Sequence, residues 1–475
     1  MRRLAVLTLL IATACSASIS AAHGVGSKAN AIEPIQLALE QTLHADRDSC
    51  SRTGKIATPL ALAEAIERSL CHDPTLRQAL SGAQLRLAQL GQKRAAYLPR
   101  IDGQSVNSSG RSVTYEDERG PMRTNSRAQS GGLSFSWVLF DSGHRKSALD
   151  GARELLAAAN ADQNDAMQRA FLDAAQLYFA VQAAHRRLTA AEQVLAMSKE
   201  HFVAASERHK AGAAALADRY QAQTAYTQAN LRRSREQGAL VSSQGVLALR
   251  MGLSASDPVP VIVDETNLQT HRYVEHVDEL IAVARQKHPV LVAAQARVAA
   301  ANAAVAEVKA QGRPTLSLTG NLNKAKNRMT GSVGAESNRK ESTIGLQLSI
   351  PIFHGFEKTY QVQEAQAQAA IQIAALDTHR LQVSTDVWTQ HASLKMETEN
   401  LSHTTQLVQQ SMKSLEIMQG RYLAGVGSMT DVLNAMSAYA SAQEQHIEVT
   451  RSWQVNRLSL AGSLGRLGFW DLGDE

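Results

Sequence analysis

Two very long stretches of this chain contain neither proline nor glycine. They run from Ala152 to Ala211 and from Phe356 to Gln419, and both are rich in Ala, Gln, Glu and Leu. These residues favour helix, and the usual helix-breaking residues are missing. At about 1.5 Å per residue, about 60 helical residues form a rod roughly 90–100 Å long. A globular core does not need so long a helix, so the sequence predicts an elongated helical structure.

The chain also repeats itself. A shift of 215 residues carries Pro74 and Pro99 onto Pro289 and Pro314. A shift of 213 residues gives further matches in the later part of each half. Because the two shifts differ by only two residues, they indicate one duplication, with the length difference in a loop near residues 110–130. Each half is predicted to run helix, strand, loop, strand, very long helix, turn and helix. The matches at a shift of 213 include Leu133 with Leu346, Phe140 with Phe353, Gly212 with Gly425, Asp218 with Asp431, and Gly252 with Gly465.

The N-terminus has the features of a signal peptide. Met1-Arg2-Arg3 is basic, Leu4–Ala12 is apolar, and Ser20-Ala21-Ala22 offers a cleavage site. The sequence therefore predicts export from the cytoplasm. The predicted organisation is a signal peptide at residues 1–22, a periplasmic N-terminal segment at 23–57, a first repeat at 58–267 with its β-hairpin at about 100–140, and a second repeat at 268–475 with its β-hairpin at about 315–353 and a short C-terminal tail.

The chain has three cysteines. Cys15 follows Ala14, and a small residue before Cys resembles a lipoprotein cleavage site, although Ala12 stands where Leu is usual. Lipidation of Cys15 and its removal with the signal peptide are both open. Cys50 and Cys71 would reach an oxidising compartment, so a disulfide between them is permitted, and two unpaired thiols are the alternative.

Composition and motifs exclude several classes of protein. A net charge of +5 over 475 residues is too dilute to predict a nucleic-acid partner, and 44% hydrophobic residues exclude wholesale disorder. The sequence has no His-Glu-x-x-His, Gly-x-Ser-x-Gly or Cys-x-x-Cys motif, so no enzyme, cofactor or metal site is predicted. No run of about 18 apolar residues follows the signal, so no membrane-spanning helix is expected, whereas membrane β-strands need only about 9–11 residues.

Segments in both halves alternate apolar and polar residues. In the first half Phe135 and Trp137 alternate with serines, and in the second half Leu346 and Leu348 alternate with polar residues. A period of two places the apolar side chains on one face of a strand. We interpret these four residues as facing lipid. The alternative is a half-buried antiparallel sheet in a soluble domain.

Two features favour a membrane barrel. Each pair of strands is joined by a polar, glycine-containing loop, at Ser112–Ser130 and Lys324–Ser342, and is flanked by a long helix. Lipid cannot satisfy an open sheet edge, so membrane strands close into a barrel. Four strands are too few, because small single-chain barrels have about eight. We therefore expect an oligomer, at least a dimer and readily a trimer with twelve strands. The predicted fold class is α+β and internally duplicated, with long helices forming an α-helical tunnel continuous with a transmembrane antiparallel β-barrel.

The predicted long helices carry an apolar residue at every seventh position. A strict seven-residue repeat makes a narrow seam for lateral packing of helices with a left-handed supercoil. The rods are therefore expected to pack against other helices of the same chain or of other chains. The seam residues are Met167, Ala174, Val181, Leu188, Leu195 and Phe202, with Phe171 and Tyr178 between them, and in the second half Val387, Leu394, Leu401, Val408 and Leu415.

Taken in order, these features resemble the TolC-type outer-membrane channel-tunnels of Gram-negative bacteria. The resemblance covers about Leu60 to Gly465. It implies a homotrimer in the cell outer membrane, with a twelve-stranded barrel in lipid and a twelve-helix tunnel in the periplasm. It also implies a periplasmic adaptor (membrane-fusion) protein and an inner-membrane ABC transporter as partners, and no catalysis. The motifs that carry it include Tyr97-Leu98-Pro99, Arg313-Pro314, Pro351-Ile352-Phe353-His354-Gly355 and the twin segments Arg208–Ala222 and Arg421–Ala435.

Each long helix is followed by a short turn and another helix. Gly212 and Gly425 fit the chain reversal, where a positive φ is often needed. Asp218 and Asp431 stand at the start of the next helix, where a carboxylate suits the helix dipole. Helix capping and constriction of a pore are alternative roles for both carboxylates.

The resemblance places these turns at a closed periplasmic entrance and implies a gating role for Asp218, Tyr422 and Asp431. Tyr422 matches the constricting tyrosine of the family. Two positions depart from TolC, since Gly427 stands where TolC has a gate arginine and Asn434 where it has a second pore aspartate. We therefore expect a gate made of packed Tyr422 and hydrogen bonds of Asp431, and not an ionic lock.

The predicted function is that of a passive channel-tunnel in a tripartite export system. Length and layout resemble the toxin-secretion members of the family, which favours type I secretion of a protein toxin. Multidrug or metal efflux is the alternative. A soluble or fibrous coiled-coil protein with small β-hairpins is the competing class. The sequence does not name the substrate, because a lumen selects by size and charge and not by a motif.

Overall fold

A computed structural model of the chain describes residues 59–116, 120–257, 259–263, 276–331 and 335–467. All of them belong to one compact unit, Ile56–Glu475. The same succession of helices and strands occurs twice, as the duplication predicts. The first repeat contains α1 (Leu62–His72), α2 (Pro74–Ala95), β1 (Arg100–Glu116), β2 (Gly120–Phe140), α3 (His144–Lys210) and α4 (Leu216–Arg250); the second contains α5 (Val277–Lys287), α6 (Pro289–Gln311), β3 (Thr315–Gly331), β4 (Ala335–Ser349), α7 (Glu357–Leu423) and α8 (Met429–Ser463).

Each repeat opens with two helices, so the prediction of a single leading helix was wrong. The breaks fall at Pro74 and Pro289, which are the first residues of α2 and α6. Proline lacks a backbone N–H and fits the first turn of a helix but not its interior. Asp73 caps α2 by accepting hydrogen bonds from two backbone N–H groups, at 2.7 and 3.1 Å. His288 caps α6 by accepting one hydrogen bond, from the backbone N–H of Val290 at 3.3 Å, so the second repeat reproduces the break.

The predicted rods are α3 and α7. Each has 67 residues, which corresponds to about 100 Å of helix. The seven-residue seam of α7 is buried except at Val408, which is half-buried, and it continues beyond the predicted members to Tyr422. In α3 the seam begins only after Met167, which is 45% exposed. The buried seam residues of α7 are Ala369, Leu376, Val383, Val387, Leu394, Leu401, Leu415 and Tyr422.

The helices of the two repeats interlock. α3 packs against α2 and α4 of its own repeat and against α6 and α8 of the other. The largest core cluster includes Leu247 of α4 and Leu458 of α8 around the middle of α3. The hydroxyl of Tyr178, in α3, lies 3.0 Å from the carbonyl oxygen of Leu60 and 3.2 Å from that of Ile262. This residue therefore ties the start of the first repeat to the segment that leads into the second.

The sequence predicted no helix able to cross a membrane, and α6 departs from this prediction. By length and composition alone it could do so, with a mean hydropathy of 1.3 over its most apolar window. That window is 33% buried inside the protein, and the helix packs against α3 and α7. Arg297 forms an ion pair with Asp162 of α3 at 2.5 Å. Its apolar character comes largely from alanines, which allow close approach of neighbouring helices.

The four strands form one antiparallel sheet in the order β1-β2-β3-β4. They have 17, 21, 17 and 15 residues, more than the roughly 9–11 needed to cross a membrane. The predicted loops Ser112–Ser130 and Lys324–Ser342 were therefore wrong over most of their length, because both ranges are mainly strand. Residues 117–119 and 332–334 lie outside the described residues. Backbone pairing does not need apolar side chains, so the ladders continue into polar sequence.

The strand register places the predicted lipid-facing residues on one face. Residues paired across adjacent strands project to the same side of a sheet. The polar residues between them, including Ser136 and Gln347, therefore lie on the opposite face. That lipid covers the apolar face stays a prediction. The pairs on the apolar face are Ile101 with Phe135, Phe135 with Gly320, Gly320 with Ile344, Trp137 with Leu318, Leu318 with Leu346, and Leu316 with Leu348.

Three predictions concern residues outside the described part of the chain. The signal peptide and the N-terminal segment at residues 1–57 are among these residues. So are Cys15 and Cys50, whereas Cys71 lies in α1. The lipidation of Cys15 and the pairing of Cys50 with Cys71 therefore stay predictions.

Candidate functional site

The candidate site consists of the two turns that follow the long helices. Gly212 and Gly425 adopt φ values of +71° and +77°, which confirms the left-handed conformation predicted for both. The hydrogen bonds at the two helix ends also match. The N–H groups of Ala213 and Val426 donate to the carbonyls five residues earlier at 2.8 and 3.0 Å. Each long helix thus ends in a glycine-dependent Schellman-type turn, and the chain reverses.

Asp431 caps the helix that leaves the second turn. The N–H of Asp431 donates to the hydroxyl oxygen of Ser428 at 3.2 Å, and the N–H of Ser428 donates to the Asp431 carboxylate at 3.2 Å. This reciprocal pair is a capping box. Hydrogen bonding to Ser428 holds the pKa of the Asp431 carboxyl below its ordinary value. The capping interpretation of Asp431 therefore has structural support, and its gating role stays a prediction.

The first turn lacks such a cap. α4 begins after Ala215, which makes no side-chain capping bond. Asp218 lies in the first turn of α4 and is half-buried. Its negative charge acts on the hydroxyl of Tyr422, in the other repeat. The two repeats are therefore alike in backbone but differ in the role of the matched carboxylate.

Tyr422 lies inside the chain. It is 5% exposed and packs in a cluster with Leu415, Met429 and residues of α3 and α4. Its hydroxyl is buried and has no hydrogen-bond partner among the residues that the structure describes. Burial raises the pKa of Tyr422 above its ordinary value, and the charge of Asp218 raises it further. Within one chain Tyr422 is thus a core side chain beside the turn. That it constricts a pore stays a prediction, which concerns the assembly of several copies.

Arg208 links the two turns, and sequence reasoning missed this role. Its guanidinium donates a hydrogen bond of 2.7 Å to the carbonyl oxygen of Tyr422 and lies 4.9 Å from the centre of the Tyr422 ring. A cation suits this position because it meets the negative end of the α7 dipole. The duplication matches Arg208 with Arg421, but Arg421 reaches only within its own turn, toward the carbonyl of Val426. The match of Arg208 with Arg421 in the repeat was a signal for a role at the turns. It could not show which of the two arginines contacts the other turn.

Gly427 is packed against the end of α7. A Cβ atom built there would lie 3.1 Å from the Cβ of Arg421 and 3.1 Å from the backbone N of Tyr422. Most Cβ contacts are longer, so a side chain at this position requires the turn to shift. A glycine at position 427 therefore lets the turn pack closely against the end of α7, and its place at the gate stays a prediction.

Asn434 is exposed on α8 and lines a groove of about 600 Å³ between α4 and α8. Tyr220 and Gln221 line the opposite wall. Gln221 also contacts Thr430, with 3.2 Å between the hydroxyl and the amide oxygen. Among the described residues no hydrogen bond joins Asn434 to Tyr422 or Asp431, and Asn434 is exposed to the groove. Its place at a pore lining stays a prediction.

The capping box predicts a pH-dependent contribution to stability. Because the pKa of Asp431 is lowered in the folded chain, its carboxylate stabilises the fold at neutral pH, and this contribution is lost as the pH falls below about 3.8. Asp431→Asn is expected to lower the melting temperature at pH 7 but to have a smaller effect at pH 3. Ser428→Ala is expected to cost about 1 kcal/mol. Thermal melts of both variants and the double variant test this, and equal effects of Asp431→Asn at both pH values would contradict it.

Within the described residues there is no cluster of His, Cys, Asp and Glu that could hold a metal ion. The turns instead bring together the buried Tyr422, the Arg208 guanidinium and the Asp218 carboxylate at the ends of the helices. Asp431 lies in the capping box of α8. That these groups control an opening between helices stays a prediction.

A duplicated fold of very long helices and one antiparallel sheet, with paired turns at the helix ends, defines an outer-membrane channel. The chain belongs to the outer membrane efflux protein family, whose model matches residues 65–253 and 280–466. The two matched ranges coincide with the two repeats. The protein therefore resides in the outer membrane, with its helices in the periplasm.

Relatives with known names support the same class. The chain is 31% identical to Protein CyaE of Bordetella pertussis over 412 residues, which covers 86% of this chain and 85% of that protein. It is 21% identical to the outer membrane protein TolC of Escherichia coli K12, over 86% of this chain and 83% of TolC. It is 23% identical to the cation efflux system protein CusC of the same strain, over 84% and 85%.

Solved structures show the same fold. The match to CusC has a TM-score of 0.73 at 20% identity and covers 85% of this chain and 91% of CusC. The match to VceC of Vibrio cholerae has a TM-score of 0.71 at 19% identity and covers 85% and 96%. The TolC-type fold predicted from the sequence is thereby confirmed.

Proposed function

We propose that three copies of this chain form a channel-tunnel that carries substrate across the outer membrane. The observation that carries this proposal is the open sheet. β1 and β4 are the edges of the four-stranded sheet, and all 15 residues of β4 are exposed. Edges in lipid would leave unsatisfied backbone groups. An even number of alternating strands lets β4 of one copy pair antiparallel with β1 of the next, and three copies give twelve strands.

Exposed apolar side chains on α7 support the same assembly. They occur along most of the rod, on the side away from its buried seam. Large exposed apolar patches on a protein surface mark contacts with other molecules. Neighbouring copies in a helical tunnel would cover them. The residues are Ile371, Leu381, Trp388, Met396 and Ile417, with exposures of 57, 70, 58, 52 and 59%.

The paired turns are the proposed periplasmic entrance. They lie at the ends of the helices remote from the sheet, and helices that line one cylinder bring their ends toward a common axis. Tyr422, Asp218 and Asp431 would control the opening. A periplasmic adaptor and an inner-membrane ABC transporter are the proposed partners at this end.

For substrate we propose type I secretion of a protein toxin. The support is the 31% identity to Protein CyaE, against 23% to the cation efflux protein CusC and 24% to the outer membrane protein OprJ of Pseudomonas aeruginosa. The length of the chain and the order of its elements also resemble those of the toxin-secretion members of the family. Efflux of drugs or metals is the second candidate, because relatives named for efflux cover a similar share of the chain.

Deletion of the gene in its native host tests the proposed substrate class. We expect the loss of one or a few large proteins from the culture medium, with their accumulation inside the cell, and restoration by the wild-type gene. Susceptibility to drugs and to toxic metal cations should change little. Unchanged extracellular proteins together with increased susceptibility would contradict the secretion proposal and favour efflux.

A further inference from the structure

The distal part of the sheet places like charges directly opposite each other. In the register, Lys324 pairs with Lys340 of β4, and Arg328 pairs with Arg127 of β2. Like charges directly opposite on one face of a sheet are destabilising. Four cations in two such pairs therefore cost stability unless another group compensates them. We call Arg127, Lys324, Arg328 and Lys340 the outer basic cluster.

The outer basic cluster lies on the same face as the apolar residues. Along β3, Lys324 follows Leu322 two residues later, and side chains two apart in a strand share a face. The apolar residues of β3 run from Leu316 to Leu322, about 20 Å at roughly 3.4 Å per residue. Lys324 is the first position beyond them, on the side toward the hairpin ends and away from the helices.

The exposure pattern of the sheet supports this facing independently. From Pro121 to Leu133 the odd-numbered residues of β2 are exposed and the even-numbered ones half-buried. The odd-numbered residues, which include Arg127, are therefore on the more exposed face of the sheet. All four members of the outer basic cluster are exposed. In the proposed barrel, on which this inference rests, that face is the outer one.

Acidic side chains in the described strands form ion pairs with only some of the basic residues on this face. Glu336 pairs with Lys326 at 3.0 Å and with Arg328 at 3.1 Å. Among the described residues, no ion pair involves Arg127, Lys324 or Lys340. At least three cations per chain thus remain exposed on the face that continues the apolar band.

We propose that the outer basic cluster binds the phosphate groups of anionic lipid at the outer surface of the membrane. Lys324 lies eight residues beyond Leu316, about 27 Å along the strand and about 21 Å along the membrane normal at a strand tilt of about 40°. This places its row of side chains near the headgroups, since the apolar band of outer-membrane barrels is about 25 Å tall. A phosphate between Lys324 and Lys340 replaces their repulsion with charge-assisted hydrogen bonds. Arg127 and Arg328 offer a second position about 14 Å further along the strand.

Lipid titrations of the full-length purified protein in neutral detergent test this assignment. The probes are short-chain phosphatidic acid, short-chain phosphatidylcholine and inorganic phosphate, and the readout is the melting temperature as a function of ligand concentration. We expect phosphatidic acid to stabilise the wild-type protein more than either comparator. In the double variant Lys324→Ala/Lys340→Ala the affinity for phosphatidic acid should fall about 30-fold, since each basic residue near an anionic surface adds roughly fivefold.

Two controls separate a lipid site from general effects of charge or folding. Arg339→Ala removes a cation from the neighbouring position of β4, which pairs with Ala325 on the opposite face, and should leave the affinity unchanged. Lys324→Arg/Lys340→Arg keeps the charges and should retain binding. In neutral detergent without lipid, Lys340→Ala should raise the melting temperature, because it relieves the repulsion from Lys324.

Several results would overturn the proposal. These are equal binding of phosphatidic acid and phosphatidylcholine, wild-type affinity in the double alanine variant, or the same loss of affinity in Arg339→Ala. If inorganic phosphate stabilises the protein as well as phosphatidic acid does, the cluster is a general anion site and not a lipid site.

Discussion

Leu346→Arg is expected to impair membrane insertion of this protein severely. Leu346 pairs with Leu318 near the middle of the apolar face and is 67% exposed in a single chain. An arginine on the lipid-facing side of a barrel costs about 2–4 kcal/mol near the membrane midplane. If three copies assemble, the cost applies three times. The measurement is the free energy of unfolding in lipid vesicles, together with the fraction of protein that inserts.

The neighbouring residue provides a matched control. Gln347 pairs with Ser317 on the opposite face of the sheet, so Gln347→Arg should insert almost as well as the wild-type protein. Trp137→Arg should behave like Leu346→Arg, but more mildly if Trp137 lies near the membrane interface, where the penalty is smaller. Equal damage by Gln347→Arg and Leu346→Arg would show that the two faces are assigned wrongly.

Tyr422→Ala is expected to open the turn region and destabilise it. The side chain is 5% exposed, and truncating a buried aromatic residue to alanine costs about 3–5 kcal/mol. It also removes the surface on which the Arg208 guanidinium rests. We expect higher conductance through channels reconstituted in planar bilayers, together with faster proteolysis near the turns.

Tyr422→Phe separates packing from hydrogen bonding. In the described part of the chain the hydroxyl of Tyr422 has no hydrogen-bond partner, and removing an unsatisfied buried polar group is neutral or stabilising. Tyr422→Phe should therefore keep the wild-type conductance. A conductance as high as that of Tyr422→Ala would mean that the hydroxyl itself holds the entrance closed, through a contact with another copy.

The same recordings distinguish the two roles of Asp431. If its three copies converge near one axis, Asp431→Ala should reduce cation selectivity, because crowded carboxylates attract cations. If selectivity and conductance do not change while the melting temperature falls, Asp431 is a helix cap only.

Much of the fold was accessible from local sequence. The absence of proline and glycine predicted the long helices, the seven-residue period predicted the buried seam of α7, and the offset of 213 residues predicted turns of one geometry at Gly212 and Gly425. Each of these is a short-range property, since helix propensity, helix periodicity and a positive φ depend on neighbouring residues. The errors were also local. Pro74 and Pro289 divide the leading helices, and strand pairing continues through polar sequence.

The candidate site depended more on tertiary structure. The sequence identified Tyr422, Asp218 and Asp431 as important, but it did not show that Tyr422 is buried, although its position seven residues after Leu415 was a signal. It also missed that Arg208 crosses to the second turn while Arg421 does not. The two arginines are equivalent in the repeat, so only the packing of one turn against the other could distinguish them.

The sequence by itself therefore determined the lengths of the helices, the duplication and the alternating faces of the strands, because these follow from backbone propensity and periodicity along the chain. Tertiary structure alone decided the order β1-β2-β3-β4, the packing of α3 between helices of both repeats, and the cross-strand pairs Lys324 with Lys340 and Arg127 with Arg328. Contacts between different elements, whether 16 positions apart as in Lys324 with Lys340 or 201 apart as in Arg127 with Arg328, are set by how whole elements pack and by strand register, and neither quantity is written in any short stretch of sequence.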